Sequence, residues 1–376
     1  DITRYFAFVF IDEDEVTSDV NWALKSASIK ADGVIFGILL HSETSVPEII
    51  NTLRENKTGK QCIFVVPKYY VEIEQIVREY NAALELREKS VDDPVLFDEY
   101  DVVVDDLNEM ISRFISEYTH PEAFRSNYIY DGQKLAIHRK AALTELMSSI
   151  CDTVFGRTPV VNNEAVNKDE ITTIAANSRN KIVAALLRNE LEPGLGLSGS
   201  GQEVSIMRST LVRTGIWKEE RLPEINLHPS DPDMAYMLGI IEGFILNARS
   251  GIPVSFKTLY DQLTLPEGQI GLRKGLIPIY MAAVIHEYKK QIVVLDRYGQ
   301  VQTSVDTLVQ INADPDAFSL SYIDWNSDKE EYVGKLATLF GSYVVEAEKS
   351  TNFYDYVANA MKRWFLALPK YSKEIK

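Results

Sequence analysis

Three short, continuous apolar runs open the chain, at residues 5–11, 33–40 and 62–66. They are rich in β-branched and aromatic residues, and helix-length stretches of mixed polarity separate them. Strands of a parallel sheet are buried on both faces and are joined by crossover helices, so this pattern is typical of such a sheet. Residues 20–29 and 46–54 are the predicted crossover helices, which gives a three-stranded βαβαβ unit.

Two longer helices are predicted after this sheet. Apolar positions recur at helical spacing over residues 69–88 and again over residues 96–118. His120 and Pro121 end the second helix, which predicts a domain boundary near residue 120. The predicted fold class is therefore an α/β N-terminal part with a small parallel sheet, followed by a mainly α region.

The middle of the chain has a helical pattern interrupted by a glycine-rich stretch. Helices are predicted over residues 135–155, 168–189 and 202–214. A phosphate-binding loop needs a strand followed by G-x-x-x-x-G-K-[ST], whereas the glycines of residues 194–201 follow a helix and lead into Gln202-Glu203. We interpret these glycines as a helix end and flexible connector, and predict no nucleotide site in them.

A helix, turn, helix and hairpin follow one another within residues 226–325, which predicts a winged-helix-like domain. Many winged helices bind DNA and others pack against protein. The second helix of the motif, predicted over residues 271–288, is too apolar over most of its length to lie in a wet major groove, so protein packing is favoured. DNA binding remains the alternative, through five basic residues at the helix ends and in the hairpin: Arg273, Lys274, Lys289, Lys290 and Arg297.

Four parts are predicted along the chain. They are an α/β domain with long helices at residues 1–120, a helical domain with a glycine-rich connector at 121–225, the winged-helix-like domain at 226–325 and a C-terminal helical segment at 326–376. The last segment includes an amphipathic helix predicted over residues 353–368 and ended by Pro369.

Composition narrows the class of protein. The 376 residues are 45% apolar and 25% charged, as in folded domains, and two cysteines exclude a disulfide framework. No apolar run reaches the ~18 residues of a membrane-spanning helix, so a cytoplasmic protein without a membrane partner is expected. Residues 1–120 hold 24 acidic and 11 basic residues, which accounts for −13 of the net charge of −16. This acidic part would repel nucleic-acid phosphates.

No catalytic, cofactor-binding or metal-ligating residue is predicted. The five histidines show no ligand spacing, and neither cysteine lies in a nucleophile motif. The strand that ends at Asp12-Glu13 has the form of the acidic half of a P-loop ATPase site. Because no phosphate-binding loop precedes it in the sequence, an ordinary strand that runs into an acidic turn is the favoured interpretation.

Three stretches together resemble the region that follows the ATPase core in large bacterial phage-defence proteins, the BrxC and PglY type of the BREX systems. They are residues 159–167 (PVVNNEAVN), 271–278 (GLRKGLIP) and 364–371 (WFLALPKY). The resemblance implies a central fragment of an ATP-driven protein, whose ATP and Mg²⁺ bind elsewhere in the parent. Its Asn-Asn-Glu motif corresponds to Asn162, Asn163 and Glu164, for which we favour a role in a tight turn over a catalytic one.

The predicted function follows from these points. A non-catalytic regulatory and scaffold region, with other domains or subunits of a larger ATPase as partners, is the first hypothesis. A nucleic-acid-binding module that uses the winged-helix-like part and contacts DNA is the second, and a free-standing hydrolase with an unrecognised site is the third.

Overall fold

The computed structural model describes four ranges of the chain: residues 4–55, 59–219, 221–350 and 355–369. By their internal contacts these residues divide into two units, the first ending at Val154 and the second beginning at Phe155. The predicted boundary near residue 120 falls inside the first unit, because its sheet gains two strands after that point.

The first unit begins with alternating strands and helices. Its elements in chain order are β1 (Phe6–Asp12), α1 (Glu13–Thr17), α2 (Trp22–Ala27), β2 (Gly33–Leu39), α3 (Ser45–Glu55), β3 (Cys62–Pro67), α4 (Ile73–Lys89), α5 (Pro94–Thr119), β4 (Ser126–Tyr130), β5 (Gln133–Leu135) and α6 (Lys140–Val154). Strands β1, β2 and β3 pair in parallel, which confirms the predicted parallel core.

Two antiparallel strands make the sheet mixed rather than wholly parallel. Strand β4 pairs with β3, and β5 pairs with β4, which gives the order β1-β2-β3-β4-β5. Asp131 and Gly132 form the two-residue turn between β4 and β5 with φ of 47° and 71°. This pair of left-handed residues is typical of a tight hairpin and requires the glycine or a short polar residue.

Aromatic side chains hold the helices of the first unit on its sheet. The ring of Trp22 lies 5.3 Å from that of Phe36 and 4.9 Å from that of Phe64, between centroids. On α5, the Tyr118 hydroxyl donates to the carbonyl oxygen of Ile38 at 2.9 Å. The thiol of Cys62 is buried in the same core, and this burial raises its pKa to about 11.

The second unit is mainly helical. Its elements are α7 (Thr173–Leu186), α8 (Gln202–Met207), β6 (Trp217–Lys218), β7 (Glu224–Ile225), α9 (Pro232–Asn247), β8 (Val254–Ser255), α10 (Phe256–Thr264), α11 (Ile277–Tyr288), β9 (Ile292–Asp296), β10 (Gly299–Val301), α12 (Val305–Ala313), β11 (Ser319–Tyr322), α13 (Ser327–Leu339) and α14 (Asp355–Ala367). Helix α8 continues as a π-helical turn over Arg208–Val212. In the described part of the chain, no helix is both long and apolar enough to cross a bilayer.

Helix α11 lies at the centre of the core of this unit, and a four-stranded sheet with the order β10-β9-β11-β8 accompanies it. Strand β9 pairs antiparallel with both β10 and β11, and β8 pairs antiparallel with β11. Strands β9 and β10 match the predicted hairpin, whereas β8 and β11 were not predicted. The helix predicted from residue 271 begins at Ile277, because Gly271 has a φ of 56° and the amide of Leu272 bonds back to Leu263.

The C-terminal helix of the prediction corresponds to α14. Residues 353 and 354 at its predicted start lie outside the described residues, as do residues 370 and 371 of the third family-like stretch.

Candidate functional site

Helix α11 is the element that the DNA-binding hypothesis depends on, and it is enclosed by protein. All ten residues from Ile277 to His286 are buried. A helix that reads DNA keeps one face open to the groove, with side chains that reach base edges. Over these ten residues α11 has no such face.

Two of the five candidate DNA-binding residues, Arg273 and Lys274, lie before α11 and contact Asp169. The Arg273 guanidinium Nη1 lies 3.1 Å from one oxygen of this carboxylate, and the backbone amide of Lys274 donates to the other oxygen at 3.0 Å. Only 15% of the Arg273 side chain is exposed. One acidic side chain therefore orders this segment and opposes its charge.

The other three basic residues follow α11 and lie in different surroundings. The Lys289 ammonium donates to the carbonyl oxygen of Asn189 at 2.6 Å, and that of Lys290 lies 3.1 Å from a Glu330 carboxylate oxygen. Arg297 lies at the turn of the β9–β10 hairpin, with its guanidinium 4.6 Å from the ring centroid of Tyr298. Of the five, only Arg297 combines an exposed position with an exposed aromatic neighbour, since Tyr298 is 82% exposed.

The family-like motif at Asn162, Asn163 and Glu164 forms part of a turn. The side-chain oxygen of Asn163 accepts the amide of Ala165 at 3.1 Å, and its side-chain nitrogen donates to the hydroxyl of Ser209 at 2.9 Å. Asn162 and Glu164 are exposed. These bonds are of the kind by which asparagine organises a turn.

Two of the three family-like stretches contact each other in the fold. The amide of Gly275 donates to the carbonyl oxygen of Lys168, the residue that directly follows the first stretch, at 2.9 Å. A Cβ at Gly275 would lie 2.2 Å from the carbonyl oxygen of Val166, so the two backbones approach closely only because this residue lacks a side chain. Sequence reasoning gave no signal for this contact, since more than a hundred residues separate its partners.

At the glycine-rich connector, a carboxylate of the chain itself occupies the backbone amide that a bound anion would need. The amide of Gly194 donates to a carboxylate oxygen of Glu219 at 3.1 Å, and the indole nitrogen of Trp217 donates to the same oxygen at 3.0 Å. A phosphate at this amide would have to displace Glu219 and would be repelled by it.

Sequence reasoning considered Asp12 only together with Glu13 and missed the cluster that Asp12 forms at the carboxyl edge of the first unit's sheet. Asp12, Asp14 and His41 each offer a ligand atom within 4.8 Å of the others, a set that can hold a divalent cation. The signal was available in the topology, because β1 and β2 are parallel neighbours and the residues after them meet at one edge. The cluster is also bonded internally: the Asp12 carboxylate accepts the backbone amide of Asp14 at 2.9 Å and lies 2.9 Å from His41 Nε2.

The charges of this cluster act on each other. The hydrogen bond to Asp12 raises the pKa of His41 above its ordinary value of 6.5, and the charges of Asp12, Glu13 and Asp14 add to this. Partial burial works to raise the pKa of Asp12, but the amide of Asp14 and the His41 ring together hold it below its ordinary value. The cluster thus combines a helix cap at the start of α1 with a histidine that gains a proton readily.

Comparisons with protein-family models, with curated proteins and with solved structures found no match for this chain. The geometry of its own residues is therefore what supports a function.

Proposed function

We propose that this chain is a non-catalytic regulatory and scaffold region of a large ATP-dependent bacterial protein, and that it holds neighbouring domains or subunits through protein contacts. The observation that carries the proposal is the burial of α11 from Ile277 to His286. A helix enclosed in this way contributes a rigid apolar core to a packing module.

The order of elements in the second unit supports a winged-helix-like interpretation. Helix α9, strand β8, helices α10 and α11 and the β9–β10 hairpin follow one another, and β8 joins the hairpin's sheet through β11. Helix α12 stands between the hairpin and β11, which departs from the simplest form of that motif. Since a fold of this kind is used for both DNA and protein contacts, the buried α11 is what favours protein.

The resemblance to the BrxC and PglY type supplies the class of the parent protein in this proposal. The carbonyl oxygen of Val166 lies beside Gly275, so two of the stretches that carry this resemblance are neighbours in the fold. In the same proposal, ATP and Mg²⁺ belong to the parent's phosphate-binding loop outside these residues.

A DNA titration tests the scaffold function against its first competitor. Fluorescence anisotropy with a labelled duplex at low salt is expected to show no saturation up to about 100 μM protein, the weak end of the non-specific range. Saturable binding that Arg273→Ala and Lys274→Ala weaken would favour the nucleic-acid-binding module instead.

A nucleotide titration tests the second part of the proposal. Labelled ATP with Mg²⁺ is expected to remain unbound at micromolar concentrations of the chain. The reading frame that encodes these residues is also expected to contain a phosphate-binding loop outside them, and a frame without one contradicts the proposed parent.

Nucleic-acid binding keeps one specific observation in its favour. The exposed ring of Tyr298 and the guanidinium of Arg297 form a basic and aromatic tip on the hairpin, and such pairs can stack on bases or contact phosphates. If this tip binds DNA, the double variant Arg297→Ala with Tyr298→Ala abolishes the anisotropy change, while Lys257→Ala, at an exposed position of α10, leaves it unchanged.

A further inference from the structure

A cavity of about 150 Å³ lies in the second unit, where the C-terminal ends of α7 and α11 meet the β9–β10 hairpin and the start of α14. Its apolar wall is formed by Leu187, Ile285, Ile292 and Val301. An apolar cavity of about this size holds a benzene molecule, so the space suits a small organic group.

A half-buried cation lies in the cavity wall and is held by neutral groups. The Lys289 ammonium donates to the carbonyl oxygen of Asn189 at 2.6 Å and lies 3.2 Å from Nε2 of His286. Nδ1 of His286 lies 2.7 Å from the carbonyl oxygen of Leu186, so the ring proton belongs on Nδ1 and Nε2 accepts from the lysine. An ammonium has three N–H donors, and these contacts use two of them.

A carboxylate lies elsewhere in the wall of the same cavity. Asp355, in the first turn of α14, is partly buried, and this burial raises the pKa of its carboxyl group. Among the described residues, no ion pair joins Asp355 to Lys289 or to another cation. Lys289 and Asp355 are thus both partly removed from water at one cavity without pairing with each other, although the charge of Lys362 acts on Asp355 and that of Glu287 acts on Lys289. A molecule that carries both charges would contact both groups.

We propose that this cavity binds a small zwitterion, an α-amino acid with an apolar side chain. The ligand carboxylate accepts from the third N–H of Lys289, and the ligand ammonium donates to Asp355. The side chain contacts Leu187 and Ile285. This binding site is an addition to the scaffold role and does not depend on it. It would give the scaffold region a small-molecule effector.

Calorimetric titration of the whole chain tests the assignment. Leucine, isoleucine, valine, methionine and phenylalanine are titrated separately, followed by 4-methylpentanoate and 3-methylbutylamine, which each lack one charged group of leucine. At least one amino acid is expected to bind below about 1 mM, and each truncated analogue at least about tenfold more weakly, since a charge-assisted hydrogen bond is lost. If none of the five binds, or if 4-methylpentanoate binds as tightly as leucine, the proposal is wrong.

Variants localise the binding. Lys289→Met and Asp355→Asn are each expected to weaken amino-acid binding at least about tenfold. Lys257→Met, at an exposed lysine that pairs with Asp261 on α10, is the matched control and is expected to bind like the unaltered chain. Lys289→Arg keeps the positive charge and is the control for a loss of folding caused by replacing this lysine. Binding that survives in both Lys289→Met and Asp355→Asn overturns the assignment.

Discussion

Gly275 shows how a single residue sets the distance between two segments of the second unit. Its missing side chain lets the backbone of residues 271–276 approach that of residues 163–169, where Lys168 accepts its amide hydrogen. Asp169 then bonds Arg273 and the amide of Lys274 from the same side. The segments of residues 163–169 and 271–276 are therefore joined by backbone geometry as much as by side-chain chemistry.

Gly275→Ala is expected to lower the free energy of unfolding by about 1–3 kcal/mol, the usual cost of forcing extra atoms into a packed site. The added Cβ would lie 2.2 Å from the carbonyl oxygen of Val166, and that oxygen belongs to the backbone. Gly239→Ala in α9 is the control, because a Cβ there meets nothing within 4 Å and helix propensity favours alanine. Urea unfolding measures both variants, and equal losses of stability would contradict the steric explanation.

The cluster of Asp12, Asp14 and His41 makes the stability of the fold depend on pH. Because the folded-state pKa of His41 is raised, its stabilising contribution is fully present below about pH 6.5 and is lost as the pH rises through the folded-state value. Titration of the His41 ring protons by NMR is expected to give a pKa above 6.5. Asp12→Asn should lower it, and Asp14→Asn should lower it less, since Asp12 makes the hydrogen bond. An unchanged pKa in Asp12→Asn would contradict this account.

At the scale of elements, apolar runs predicted the strands that are buried on both faces. β2 and β3 follow such runs closely, because a buried parallel strand needs apolar residues at successive positions. β1, at the edge of the sheet, has a similar apolar run, although only Ala7 and Ile11 of this strand are buried. β11 has four residues, Ser319–Tyr322, in which polar and apolar residues alternate, and such a short pattern does not stand out in the sequence.

The candidate site was less predictable than the fold. The apolar sequence of α11 indicated a helix with little contact with water, and Ile277–His286 are all buried. The partners of the nearby cations, Asp169 and Glu330, lie far from them in sequence and became visible only in the folded chain. The cavity at Lys289 has the same origin, since its wall is assembled from several separate elements.

The burial of helix α11 can be tested by measuring the stability of a variant. The Tyr280 hydroxyl is buried and has no hydrogen-bond partner among the described residues. Tyr280→Phe removes that unpaired hydroxyl and is expected to raise the free energy of unfolding by about 1 kcal/mol.

Tyr260→Phe on α10 is the matched control for Tyr280→Phe, because its hydroxyl donates to the side-chain oxygen of Asn312 at 2.9 Å. Its loss is expected to cost about 1 kcal/mol. Urea unfolding of both variants gives the comparison. A loss of stability in Tyr280→Phe would mean that the hydroxyl has a partner.

For the whole molecule, each unit has its own hydrophobic core, with Ile129 in the first and Trp217 in the second. Multidomain chains commonly depart from two-state unfolding. Ile129→Ala is expected to lower the free energy of unfolding of the first unit by about 2–5 kcal/mol, and with it the midpoint of that unit's transition. The midpoint of the second unit's transition is expected to stay unchanged.

Two variants that each keep one tryptophan, Trp22 or Trp217, report the two transitions separately by fluorescence. An equal shift of both midpoints by Ile129→Ala would show that the cores unfold together.

The buried thiol of Cys62 makes the first unit suitable for a labelling experiment. With a pKa of about 11 and no access to water, this sulfur is unreactive while the unit stays closed. A maleimide added in excess therefore modifies position 62 only during transient openings, at a rate set by how often they occur. Mass spectrometry of the labelled peptide would then measure the rate at which the first unit opens transiently, without any substitution in the chain.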